Sequence, residues 1–83
     1  MKYKHYMTGL EFTRFRLDKD LTQEEISILL GVSVVTVKSW EHERRNVPKT
    51  VNNFIRLSIS RVPSEILKNI ILKITKYENS DNS

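Results

Sequence analysis

Eighty-three residues hold one domain with a modest core and leave no room for a second, ligand-sensing domain, so any regulation is expected inside that single unit. There is no cysteine, which excludes a disulfide or thiolate-metal staple and leaves packed helices, in a reducing cytoplasmic setting, as the expected source of stability. Fourteen Lys and Arg against ten Asp and Glu give a formal charge of +4 and favour an anionic partner, while no apolar run approaches the roughly 20 residues that span a bilayer.

In chain order, Met1-Lys2-Tyr3-Lys4-His5-Tyr6 is too polar for a secretory leader. Thr8-Gly9-Leu10-Glu11 reads as a capping box, in which Thr8 and Glu11 satisfy each other's amides, and opens a helix to about Lys19. Leu10, Phe12, Phe15 and Leu17 supply its apolar side. A second box, Thr22-Gln23-Glu24-Glu25, opens a short helix through Leu30, with Ile26, Leu29 and Leu30 at helical spacing, and Gly31 stops it. Ser33 caps a third helix from Val34 to about Glu43, where Val37 and Trp40 share a face. Its valines lower the intrinsic helix propensity, so another element has to cover that face.

Val47-Pro48 starts a fourth helix to about Ser60, with Val51, Phe54, Ile55 and Ser58 on one stripe, and Val62-Pro63 repeats the device. From Ser64, Ile66, Leu67, Ile70, Ile71 and Ile74 form the most periodic stretch of the chain, an amphipathic helix of about three to four turns with Lys68, Lys73 and Lys76 on other faces. Glu78 to Ser83 read as a polar tail expected to fray. The expected fold is all-α, with five helices arranged as a body over residues 1–62, a C-terminal helix over 63–77 and a tail over 78–83. Acidic residues are absent from Arg44 to Arg61, so a local basic surface is expected there.

The second and third helices also meet a joint geometric requirement when counted from Gln23 as position one. Position five is Ser27, small enough for two helices to meet closely. Position nine is Gly31, where a tight turn needs a left-handed backbone. Ile26, Leu30, Val32, Val37 and Trp40 then occupy the apolar positions that pin two helices at a steep angle, which is a helix-turn-helix pattern.

Leu21-Thr22-Gln23-Glu24-Glu25-Ile26, Leu30-Gly31-Val32-Ser33 and Val37-Lys38-Ser39-Trp40-Glu41 resemble the Cro and cI repressor superfamily, the xenobiotic-response-element (XRE) regulators, over about Phe12 to Ser60. The resemblance implies a five-helix, lambda-repressor-like fold and a transcriptional regulator of the compact kind found in phages and mobile elements, including those that accompany anti-CRISPR genes. It places Phe12 and Phe15 in the first helix's core face and pairs Arg16 with Glu41 as a structural ion pair linking the first helix to the third. The chain departs from the family pattern in two places. Glu43 stands where a glycine is usual, and Pro48 comes one residue late, which leaves the loop between them undetermined.

On this reading the third helix enters the major groove of double-stranded DNA, with Val34, Val35, Lys38 and Ser39 at base edges. Methyl groups there suit thymine and Lys38 suits guanine, and one of the two valines could instead turn inward. Phosphate contacts are expected from Lys19, Thr22, Gln23, Thr36, Arg44, Arg45, Asn46, Lys49 and Thr50. One such helix reads few base pairs, so a homodimer on a palindromic operator is expected, with Ile66, Leu67, Ile70, Ile71 and Ile74 as its interface and, on another side of the helix, a cover for the domain's own core.

The leading expectation is an autoregulating repressor. The alternative is an antitoxin-like protein whose C-terminal helix captures a partner protein, with DNA binding secondary. His5 and His42 stand apart from any ligand spacing and no nucleophile-base pair or phosphate loop occurs, so no enzyme activity, metal, cofactor, small-molecule ligand or membrane partner is expected. His42 reads as an exposed helix residue that could approach a phosphate.

Overall fold

The computed structural model describes residues 7–81, with side chains for 7–76; the opening residues 1–6 and the last two of the tail lie outside the described residues. Five α-helices follow in order, α1 (Gly9–Asp18), α2 (Gln23–Leu30), α3 (Val34–Glu41), α4 (Lys49–Leu57) and α5 (Ser64–Asp81), with a 3-10 turn at Ile59–Arg61 between the last two. The all-α, five-helix architecture expected from the sequence is therefore present. The one extended pairing among the described residues is an isolated antiparallel bridge between Met7 and Val47.

Helix starts follow the local chemistry. Thr8 and Thr22 each accept from the amide three residues on, at 3.0 Å, while Glu11 and Glu25 reach back to the amides of Thr8 and Thr22 at 2.9 and 2.8 Å. Ser33 caps α3 by accepting from the Thr36 amide at 3.1 Å. Pro48 is itself the N-cap of α4 and offers no side-chain bond.

The first three helices end in the same way. Leu21, Val32 and Arg44 donate their amides back to Arg16, Ser27 and Ser39, and Asp20, Gly31 and Glu43 donate to Leu17, Ile28 and Trp40. This is the Schellman closure, which needs a left-handed residue at its centre. Those residues are Asp20 (φ 56°), Gly31 (φ 73°) and Glu43 (φ 60°). Only one of the three is glycine. At Glu43, which stands in the loop that sequence left undetermined, a branched-off Cβ is held against the following carbonyl. Replacing Glu43 with Gly is expected to stabilise the fold by about 0.5–1 kcal/mol. Thermal unfolding of the variant should show a midpoint a few degrees higher, and a lower one would refute the strain.

The core joins all the helices. Phe12, Leu21, Ile26, Val37, Trp40, Val47, Ile55, Ile59, Leu67 and Ile71 are buried, and Met7, Phe15, Leu30, Val32 and Val51 are among the side chains that pack around them. Phe12 meets Trp40 edge to face, with ring centroids 5.4 Å apart, fixing α1 on α3. The turn glycine and the buried Ser27, whose hydroxyl donates to the Glu24 carbonyl at 2.6 Å, let α2 close on α3. The other face of α2 is covered by α5.

Several expected details are corrected. Leu10 and Leu17 are exposed, so the apolar side of α1 is Phe12 and Phe15. On α4, Phe54 and Ser58 are exposed and the inward stripe is Val51, Asn52 and Ile55, continued by Ile59 of the 3-10 turn. Asn52 lies 3 % exposed where apolar periodicity pointed to Phe54. The third helix closes at Glu41, two residues early, because Glu43 turns left-handed. The fifth runs 18 residues, so the backbone of the supposed tail is helical as far as Asp81. Leu67 and Ile71 are core residues, which removes them from any dimer surface and leaves Ile66 and Ile70 exposed and Ile74 half-buried.

Candidate nucleic-acid interface

α3 is held from behind and free in front. Val37 and Trp40 anchor it in the core, so Val35, Lys38, Ser39 and His42, at spacings of three, four and seven residues, share the opposite face. Val35 is 68 % exposed, Lys38 and His42 are exposed, and Ser39 is half-buried. Val34 is half-buried at the margin, so Val35 is the more available of the two expected base-reading valines. Thr36 shares a 3.0 Å hydrogen bond with Ser33 and belongs to the helix cap.

The orientation of α3 is set by an ion pair. Arg16 Nε donates to Glu41 Oε2 at 2.7 Å and Arg16 Nη2 to Glu41 Oε1 at 3.0 Å, a bidentate geometry. Arg16 Nη1 also donates to the Leu21 carbonyl at 3.0 Å, and Gln23 Nε2 donates to Glu41 Oε1 at 3.0 Å. Both charged side chains are largely covered, 13 % and 7 % exposed. Burial on its own raises the Glu41 pKa, but the hydrogen bonds from Arg16 and Gln23 and the arginine's charge outweigh it and hold the carboxyl below its ordinary value of 4.5. One carboxylate thus joins α1, α2 and α3.

Several expected phosphate contacts have other occupations. Lys19 Nζ donates to the carbonyls of Ser60 and Val62, both at 2.9 Å, and the Lys19 carbonyl accepts from Ser64 Oγ at 2.6 Å. It is a strut tying the end of α1 to the 3-10 turn and the start of α5. The Gln23 amide is engaged with Glu41, and Thr22 is engaged in its capping box. That box takes the amides of Thr22 and Glu25, and the carboxylates of Glu24 and Glu25 in the first turn oppose an approaching anion.

The remaining expected positions, Arg44, Arg45, Asn46, Lys49 and Thr50, are all exposed and follow α3 directly. From Arg44 to Ser64 the chain carries no carboxylate. They do not all line the same depression. Arg44 joins Val35, Lys38, Ser39 and His42 around a shallow depression, whereas Arg45 and Asn46 border a second one with Met7, Thr8, Gly9 and Glu43. His42, read from sequence as an exposed helix residue that could approach a phosphate, is exposed and shares this face with Val35, from which it is spaced by seven residues. The outward face of α3 thus combines a valine methyl pair with hydrogen-bond donors and cations around one shallow depression.

Among the described residues no helix is long and apolar enough to cross a membrane, and no three or more His, Asp or Glu side chains gather as a metal-binding group. No family model, curated protein or solved structure matches the chain.

Proposed function

We propose that the chain is a sequence-selective double-stranded DNA-binding regulator of the Cro and cI type, which acts as an autoregulating repressor and binds an inverted repeat as a homodimer. The observation that carries this reading is the outward stripe of α3, Val35, Lys38, Ser39 and His42, on a helix fixed from behind by Trp40 and the Arg16–Glu41 pair. Such a stripe gives base-edge chemistry, and the cationic segment beside it gives phosphate contacts that position without specifying.

The deciding experiment is a fluorescence-anisotropy titration against DNA from upstream of the chain's own gene and against a random duplex, at two salt concentrations. A preference of about a thousandfold for the upstream DNA is expected. Equally weak and steeply salt-dependent binding to both would move the antitoxin-like reading ahead.

Two substitutions separate reading from positioning. Lys38→Ala should weaken specific binding and relax selectivity at one base pair, at a cost of about 1–3 kcal/mol. Lys49→Ala should weaken all sequences alike and lower the salt slope by about one. Equal losses on operator and random DNA for Lys38→Ala would contradict base reading. The exposed pair Ile66 and Ile70 supplies the proposed dimer contact, so Ile70→Asp should sediment as a monomer, and a dimeric variant would exclude that surface.

A further inference from the structure

The depression on the outer side of α3 has an unusual charge composition. Its polar members are the ammonium of Lys38, the guanidinium of Arg44, the hydroxyl of Ser39 and the imidazole of His42, and no carboxylate lines it. Both acids near His42 in sequence face elsewhere. Glu41 is turned inward onto Arg16 and Gln23, and Glu43 borders the separate depression with Gly9, Arg45 and Asn46. Of the elements packed on α3, α1 directs Arg16 to Glu41 and α2 directs Glu25 to its own N-cap. The groups that share the depression with His42 are therefore two fixed cations.

Position along the helix narrows what these groups can touch. His42 is the C-cap of α3, seven residues and about 10 Å of helix rise beyond Val35. When the first turns of a helix lie in the major groove, a residue two turns later is at the groove's edge, where the sugar-phosphate backbone runs. The C-terminal end of a helix also accommodates positive charge, because its last carbonyls are partly negative.

We infer that His42 and Arg44 form a phosphate clamp at the C-terminal rim of the reading stripe, and that His42 makes DNA affinity fall as pH rises. This rests on the DNA-binding reading and deepens it. Imidazole is the side chain that changes charge between about pH 5 and 8. Adding a third positive charge beside Lys38 and Arg44 is favourable when an anion shares the depression, so protonation of His42 and phosphate binding are linked, and each promotes the other. A phosphate contact is independent of sequence, so the effect should appear on any duplex.

The test is anisotropy with the full chain, on a random duplex at low salt and on DNA from upstream of its gene, at pH 6, 7 and 8. Affinity for both duplexes is expected to rise several-fold from pH 8 to pH 6, with a salt slope steeper by about one per bound chain at pH 6. His42→Gln should abolish the pH dependence and bind as the wild type does at pH 8, with an unchanged melting temperature showing that the fold is intact. His5→Gln should keep the dependence. A wild type whose affinity does not vary with pH, or a His42→Gln variant that retains the variation, overturns the clamp. If the wild type still prefers upstream DNA in that case, the DNA-binding reading stands without it. Failure to bind either duplex at any pH overturns both.

Discussion

Arg16→Ala is expected to cost about 3 kcal/mol of folding free energy, most of what a single small core supplies. The guanidinium makes three hydrogen bonds, two to Glu41 and one to the Leu21 carbonyl, and its removal leaves Glu41, 7 % exposed, without its counter-charge. Glu41→Ala should cost a similar amount for the reciprocal reason. The double variant should cost little more than either single one, because the penalty in each case is a stranded charge. Arg16→Lys should rescue poorly, since a point charge cannot make the bidentate contact. Urea unfolding of the four variants beside the wild type measures all of this, and a near-wild-type midpoint for Arg16→Ala would refute it.

The same pair sets an acid limit. Because Glu41 is held below its ordinary pKa in the folded state, its contribution is complete above about pH 4.5 and is lost as pH falls through the lower, folded value. Glu41→Gln should flatten the stability profile below pH 4.5. An unchanged profile would mean that other carboxylates govern acid unfolding.

Gly9→Ala is the second large effect, from a change of one methyl group in a residue that helix propensity would favour. A Cβ at Gly9 would collide with the Trp40 carbonyl oxygen and lie 2.8 Å from Glu43 Cγ. The long side chain of Glu43 can yield, but the backbone of α3 cannot move without disturbing the Phe12–Trp40 contact. Overpacking of this kind costs about 1–3 kcal/mol, set against a helix-propensity gain of up to about 1 kcal/mol. Placing Gly9→Ala in the Glu43→Gly background separates the two clashes. Relief of the side-chain contact leaves the carbonyl in place, so the loss should persist, and full recovery would show that Glu43 alone was responsible.

These two sites mark what was legible in the sequence. Helix starts were, because a capping box is contained within four residues, as at Thr8 and Glu11 or Thr22 and Glu25. Gly31 was also legible, since a turn between two apolar runs has few chemical solutions. The Arg16–Glu41 pair, 25 residues apart, came from the family resemblance and from no local pattern. Lys19 and Gln23 looked like free phosphate ligands because their partners, at Ser60, Val62 and Glu41, are distant in the chain. Gly9 read as part of a cap, since nothing nearby signals that the Trp40 carbonyl rests on it. On α4 the hydrophobic pattern favoured Phe54 over Asn52, and the direction of the buried face was decided by α4's neighbours.

The Lys19 strut has a kinetic meaning beyond its three hydrogen bonds. Those bonds close spans of 41 to 45 residues, whereas α1, α2 and α3 are joined by contacts of shorter reach. Chain closure over the longer span is entropically dearer by only about 0.5 kcal/mol, since the cost grows with the logarithm of loop length. Release of α5 would uncover Leu67 and Ile71, while Arg16 and Phe12 of α1 still hold α3 through Glu41 and Trp40. Lys19→Ala should therefore ease the opening of α5 and speed proteolysis of the native chain, from a position at the end of α1 far in sequence from the segment that opens.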